Sequence, residues 1–424
     1  MPMMTIRRAT ALVGCWIVAA VPAAGGDWPQ VLGPGRDSQA IEERVEAWQE
    51  PPQVRWKFPC GAGYAGPAVV GDQVFLWHRV GDQEILASLD WGTGKPQWSA
   101  AFPASYTGGV DPDRGPRCVP VVSGDTVFVY GAAGDLHAVA KADGKKLWSR
   151  SLLAELQGEE GYFGAGSTPL AIGQSVIVAV GVKRGGGIVA LDRSSGKTLW
   201  QALESEASYA SPVPITLGGE SLVVVPMRLK TVVIDPRTGE VRREFPFGRR
   251  GPSVVAATPL VDAPYLLVTA SYGDGCRKMD LSANPPQHVW RDSQQISSQY
   301  VSPLRIGGHL YAITGREDFQ DAALVCVGWE DGVEQWAAKD FGTAHLIAVG
   351  DSLLAVGVAG RLDLIAADPQ AQTTLATASL PAGSFRALPA LSRGLLFCRA
   401  TRSPTAGELI AIELQTSSGA RPGR

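Results

Sequence analysis

The feature that most constrains the fold of this chain is a repeat. Seven prolines (Pro67, Pro120, Pro169, Pro212, Pro259, Pro303 and Pro389) each open a short apolar run. Neighbouring members lie 43 to 53 residues apart, except for a last interval of 86, which is two repeats of 43. Ala344-His345-Leu346-Ile347 begins the missing unit without a proline, so the units number eight. Self-similarity at a period of a few tens of residues marks units that cannot bury an apolar face alone and must stack on one another.

Inside a unit the order is constant. In the third, Thr168-Pro169 opens a first strand, Ser175 to Val180 makes a second and Gly187 to Leu191 a third. Asp192-Arg193-Ser194-Ser195-Gly196 then turns into a fourth at Trp200. Short runs of alternating apolar residues between glycine-rich turns describe a four-stranded antiparallel meander. Gly94, Gly144, Gly196 and Gly332 each precede a tryptophan by four residues (Trp98, Trp148, Trp200 and Trp336), and Asp90, Asp192 and Asp235 precede Gly94, Gly196 and Gly239 by four. Asp bonds the backbone two residues on and Gly accepts positive φ, which shapes a hairpin loop. The fourth unit carries Arg243 in the tryptophan place. Trp56, Trp98, Trp148, Trp200, Trp290 and Trp336 are therefore expected to pack structurally between neighbouring units.

Four-stranded units arranged radially close into a propeller, which leaves only short protected edges. Closure makes one demand. The last unit, Pro389 to Gln415, holds three strands and no tryptophan strand, whereas the repeat region begins with an orphan tryptophan strand, Val54-Arg55-Trp56-Lys57-Phe58. The expected fold is an all-β, eight-bladed propeller of four-stranded antiparallel blades over residues 53–416, latched by an N-terminal strand in the last blade. A 25–52 extension precedes it and a disordered 417–424 tail follows. Residues 1–24, with Arg7 and Arg8 ahead of an uncharged apolar stretch that ends in small residues, read as a secretory signal peptide. That implies export to the periplasm or cell envelope. Leu12-Val13-Gly14-Cys15 gives lipoprotein anchoring as a second reading.

Of the 424 residues, 45% are apolar, which suffices for a large core, and the net charge is −3. A nucleic-acid scaffold would carry a basic surplus. The loops expected on one propeller face hold 18 basic and 17 acidic residues, so nucleic acid is excluded as a partner, and membrane contact is expected to be only indirect. Cys60, Cys118, Cys276, Cys326 and Cys398 lack metal or redox spacing and read as buried small hydrophobes, with a Cys60–Cys118 bridge as the alternative. His78, His137, His288, His309 and His345 are scattered one per blade.

The units read Pro-x-Val-x-x-Gly-Asp-x-Val-Phe, then Leu-Asp-x-x-Thr-Gly-Lys-x-x-Trp. They resemble the pyrroloquinoline-quinone (PQQ) repeat of quinoprotein alcohol dehydrogenases and of BamB-like outer-membrane assembly proteins. Asp27-Trp28-Pro29-Gln30 with Gly35-Arg36-Asp37, Gly115-Pro116-Arg117, Ser271-Tyr272-Gly273, Gly315-Arg316-Glu317 and Arg386-Ala387-Leu388-Pro389 are similar to segments of exported PQQ-like propellers. The dehydrogenase branch implies PQQ and a calcium ion held by Glu, Asn and Asp, often under a vicinal disulfide. This chain has no Cys-Cys pair, and its single Asn, Asn284, falls in an outer turn. Glu159-Glu160 could offer metal ligands, though an acidic loop pair is the plainer reading. Gly185-Gly186-Gly187 opens no helix and is no phosphate cradle.

One pattern stands out. The residue three before each blade-opening proline is Tyr64, Arg117, Gly166, Tyr209, Ala256, Tyr300 or Arg386: Tyr, Arg or very small. Positions −1 and −3 of an extended segment share a side, and −1 is mostly small. Tyr64, Arg117 and Arg386 are expected on one arc of the channel mouth, Tyr209 and Tyr300 across it, and Arg316 beside them. Such a set suits a protein partner or a small anionic ligand. The alternative is that these side chains pack between blades and pair with Asp111 and Asp113. The functional expectation is an exported, monomeric, non-enzymatic scaffold that uses no cofactor and engages another exported or outer-membrane protein. The alternatives are a PQQ- and calcium-dependent alcohol dehydrogenase, and a binder of cell-surface carbohydrate through Tyr64, Tyr106, Tyr162, Tyr209 and Tyr300.

Overall fold

The computed structural model describes residues 26–158, 160–182, 186–251, 253–292 and 295–416. The leader, Glu159, Gly185 and the 417–424 tail of the sequence reading lie outside them. Apolar alternation builds eight four-stranded antiparallel sheets among the described residues. In the third blade the strands are Leu170–Ile172, Ser175–Ala179, Ile188–Asp192 and Thr198–Ala202, and consecutive strands pair in order. The core lies between blades, where two sheets bury their facing residues, as Val176, Val178 and Leu191 of blade three do against Phe128, Tyr130 and Ala138 of blade two.

The ring closes as the sequence demands. The strand Gln53–Gly61 runs antiparallel to Ala406–Glu413, with Gln53 opposite Glu413 and Gly61 opposite Ala406. It completes the sheet of Ala390–Ser392 and Leu395–Ser403. Without it the Ala406–Glu413 edge would present unpaired backbone groups.

The tryptophans hold one blade to the next. Each indole donates its Nε1–H to a carbonyl in the next blade's outer turn: Trp56 to Trp91, Trp98 to Lys141, Trp148 to Arg193, Trp200 to Pro236, Trp290 to Trp329 and Trp336 to Asp368, all at 2.9 to 3.1 Å. In five of the six contacts the ring lies on the next blade's turn glycine (Gly94, Gly144, Gly196, Gly239 or Gly332), where an added Cβ would meet it at 2.5 to 2.8 Å. Where blade four has Arg243 in place of the ring, the facing turn of blade five, Ser282 to Pro286, has no glycine. Blade seven has Ala376 in that place, and Trp48 of the N-terminal segment joins the cluster there and donates to Thr377.

Antiparallel meanders put the first-to-second and third-to-fourth turns on one face. The second-to-third turns and the loops entering each blade share the other. Residues 27–48 run across the first of these faces and touch seven of the eight blades. Trp28 pairs with Val69 of blade one, Val122 of blade two donates to Pro29, and Gln39 donates to Arg305 of blade six. Ala348 of blade seven donates to Ser38, and Glu43 accepts from Arg393 and Gly394 of blade eight. At the centre, Arg36, 1% exposed, reaches the carbonyls of Thr168, Pro169 and Pro212 in blades three and four. This segment stoppers the channel, so the opposite face carries a blind pit.

Candidate functional site: a blind pit on the entry-loop face

Each blade enters the ring through an extended segment, and the alternation of that segment stacks two rings of side chains around the axis. The lower ring holds the −1 residues Val119, Thr168, Ser211, Thr258, Ser302, His345 and Leu388, and the upper ring holds Tyr64, Arg117, Gly166, Tyr209, Ala256, Tyr300 and Arg386. Together with Arg316, Val31 and neighbouring loop residues they line a cavity of about 620 Å³.

The small −1 residues have a function beyond fitting a crowded wall. Val119 N–H donates to Thr168 Oγ1 at 3.2 Å, Thr168 N–H to Ser211 Oγ at 3.1 Å, Ser211 N–H to Thr258 Oγ1 at 3.2 Å and Thr258 N–H to Ser302 Oγ at 2.9 Å. Each hydroxyl thereby satisfies a buried backbone donor in the preceding blade. The chain ends at blade seven, where the position is His345. At the blade eight to one seam, Gly66 lets the backbones close: a Cβ there would sit 2.0 Å from the Leu388 carbonyl oxygen.

The upper ring is a network of ion pairs on aromatic faces. Arg117 lies over Tyr64 at 5.3 Å and over Tyr106 at 5.7 Å. It donates to Asp113 at 3.0 Å, and that buried carboxylate also takes the N–H groups of Gly63 and Gly115 at 2.8 Å each. Arg386 donates to Glu317 at 2.9 Å, and the other oxygen of Glu317 accepts from Tyr300 at 2.6 Å. Tyr64 donates to Asp111 at 3.2 Å. Burial works against the Arg386 guanidinium, but Glu317 outweighs it and raises its pKa. Burial first, then Glu317, raises the Tyr300 phenol. Across the pit, the Tyr209 hydroxyl accepts from Phe163 N–H at 2.9 Å, and burial pushes its pKa up to about 12. Arg316 pairs with Asp318 at 3.0 Å and stacks on Tyr272 and Phe319 at 4.5 and 4.1 Å.

All six site residues read from the sequence thus line one cavity, and all three arginines among them are neutralised there. Arg117 fits the packing alternative, because its partner Asp113 is buried beneath it. Tyr106 lies under Arg117 rather than on the cavity wall, and Tyr162 stands at the rim. The sequence reading missed Tyr272, Phe163 and His345 as lining, and the hydroxyl chain; the recurrence of Ser and Thr at −1 was the signal for the last. His345 Nε2 faces the Arg386 carbonyl at 2.8 Å, and burial lowers its pKa to about 4. His78 accepts Gly61 N–H and His137 stacks on Phe102 at 3.9 Å, both as core residues. The Cys60–Cys118 bridge does not form: both are free, buried thiols, as are the other three described cysteines.

The profile of the family described as outer membrane protein assembly factor BamB matches residues 81–338, more than half of the chain. The chain belongs to the BamB-like family of PQQ-repeat propellers. BamB from Moraxella catarrhalis superposes on this BamB-like chain with a TM-score of 0.62 at 16% identity, covering 85% of this chain and 99% of that one. A europium-containing methanol dehydrogenase gives 0.70 at 12% identity, over 92% and 98%. A quinohemoprotein alcohol dehydrogenase from Pseudomonas putida HK5 gives 0.68 at 11%, over 94% and 82%. At such identities the likeness is one of fold. No curated protein matches the sequence.

The dehydrogenase branch implies PQQ with calcium, and calcium takes six to eight hard oxygens. In the BamB-like pit Glu317 and Asp318 are engaged by arginines and Asp111 by Tyr64, and no group of three or more His, Cys, Asp or Glu that could hold a metal occurs among the described residues. Asn284 lies in the turn between Gly275–Asp280 and Gln287–Asp292, on the face opposite the pit. The residues present do not fit a calcium–quinone centre.

Proposed function

We propose that this BamB-like propeller is an exported, non-enzymatic binding scaffold of the cell envelope, and that it engages an exported or outer-membrane protein, or a small anionic ligand, at the pit. The observation that carries this reading is the pit itself: a stoppered cavity with apolar and aromatic walls and with its arginines already paired. Such a concave site with a few convergent polar groups is the ordinary form of a binding pocket. Residues 1–24 support export as a leader, and no helix among the described residues is long and apolar enough to cross a membrane. Val110, Tyr162 and Phe319 are exposed at its rim, where a partner would meet apolar surface.

Two measurements test the reading. Thermal unfolding with PQQ and Ca²⁺ is expected to show no stabilisation, because a ligand bound tightly to the native state must raise the midpoint by mass action; a raised midpoint together with alcohol-dependent dye reduction would overturn the scaffold. A photo-cross-linking residue placed at Phe319 is expected to give a discrete envelope-protein adduct that Tyr64→Ala with Tyr300→Ala abolishes. An adduct insensitive to those changes would place the partner elsewhere.

A further inference from the structure

The floor of the pit differs from its rim, because there polar groups are left over. The oxygens of Ser211, Thr258 and Ser302 each accept a backbone N–H from the blade before, and among the described residues no acceptor takes their own protons. Thr168 bonds the Cys118 thiol. A hydroxyl that accepts an N–H is polarised into a better donor. Three such O–H groups therefore border the cavity on consecutive blades, each nine-tenths or more buried.

At the blade-four end of this row, buried behind Thr168 and the Ser211–Pro212 backbone, lies Arg36. Its guanidinium bonds Gln30 Oε1 at 2.8 Å and the carbonyls of Thr168, Pro169 and Pro212, and Thr168 and Pro212 are a pit-lining residue and the neighbour of one. Among the described residues no carboxylate forms an ion pair with Arg36. Buried charges are ordinarily paired, and carbonyls and an amide satisfy its donors without cancelling its charge. Positive charge and unspent donors thus converge on one side of the floor. Above, Phe163, Tyr209 and Val254 make an apolar wall.

We propose that the floor of the pit is an anion site that takes a carboxylate carried on an apolar or aromatic body. A small aromatic acid and the C-terminal carboxylate of a polypeptide share that chemistry. This rests on the reading of the pit as the recognition site. The N-terminal segment supports it sterically: with the channel stoppered, an entering group must come head first from the entry-loop face.

The test is calorimetric titration of the full chain with hydrocinnamate, with its neutral amide hydrocinnamamide, and with a tripeptide ending in phenylalanine whose carboxyl is free or amidated. Each free acid is expected to bind at least about tenfold more tightly than its amide, the discrimination that a hydrogen bond to a charged group supplies. The ratio of acid to amide affinity is expected to collapse towards one in Ser211→Ala with Thr258→Val, to recover in Thr258→Ser, and to fall in Arg36→Gln. General loosening of the pit would weaken acid and amide alike, so the ratio isolates the anion site. Should Arg36→Gln fail to fold, the hydroxyl variants decide. A tighter free tripeptide identifies a polypeptide terminus as the source, and a tighter hydrocinnamate a small acid. Equal affinity for acid and amide, no binding of either at millimolar concentration, or a ratio unmoved by the floor variants would each overturn the proposal. Equal binding of both would leave the scaffold standing, whereas binding of PQQ and calcium would sink the scaffold itself.

Discussion

Replacing Gly144 by alanine tests how neighbouring blades are held together. Gly144 has φ +74°, and an added Cβ would lie 2.5 Å from Cε3 of Trp98, whose Nε1–H donates to Lys141 in the same turn. Two costs add. An alanine in the left-handed region costs about 1–2 kcal/mol, and forcing a methyl into a packed ring contact costs about 1–3 kcal/mol more, for a total of about 2–5 kcal/mol. Gly173 supplies the control: it has φ +56° and nothing within 4 Å of an added Cβ, so Gly173→Ala carries only the first cost. Urea unfolding followed by circular dichroism should give Gly144→Ala the lower midpoint, by the equivalent of the packing difference. Combining Trp98→Ala with Gly144→Ala should cost less than the sum of the two, because the clash disappears with the ring. If Gly144→Ala and Gly173→Ala destabilise equally, the glycine serves only its own hairpin and the inter-blade contact contributes nothing.

Deleting residues 1–58 removes both the closing strand and the stopper, so size-exclusion chromatography should show aggregates; a monomer with unchanged melting would refute the latch. Arg117→Ala leaves Asp113 buried without its cation and should destabilise the fold by about 3–5 kcal/mol. Arg386→Ala, at a half-exposed pair, should cost under about 1 kcal/mol; similar losses would contradict the buried-versus-rim distinction. Burial raises Glu84 to about 7 from 4.5, opposed chiefly by the hydrogen bond from Ala132 N–H. Between those two pH values the folded state holds the extra proton, so this group's contribution to stability falls as pH rises through the window. Glu84→Gln should therefore raise the melting temperature above pH 7 and not below pH 4.5, and an equal shift at both ends would refute the assignment.

Eight blades, their strands and the closing pair could be read from the sequence because each follows from local periodicity, and a strand without partners at each end of the repeat names its own mate. The −3 residues were legible for the same reason: one register, repeated, puts them on one ring. What stayed hidden depends on contacts that periodicity does not encode. The four-residue spacing of Gly144 and Trp148 reads as a hairpin signal, yet the ring that Gly144 carries is Trp98, from the blade before. The −1 hydroxyls look merely small until the backbone N–H groups they satisfy are placed beside them. Arg36 bonds carbonyls 132 to 176 residues away, a distance over which a motif shows recurrence and nothing of purpose.

The latch has a kinetic side. Arg55 and Glu413, paired across the closing seam, are 358 residues apart in the chain, so the first strand to leave the ribosome is the last to find its mate. Until blade eight exists, the Gln53–Gly61 segment has no sheet to join. The nascent ring then carries a raw edge at each end. Because loop closure must be completed before such distant contacts reward it, assembly is slow and its final step decides success. Any factor that shields residues 53–61 during synthesis would raise the yield of closed rings without touching the stability of the finished one.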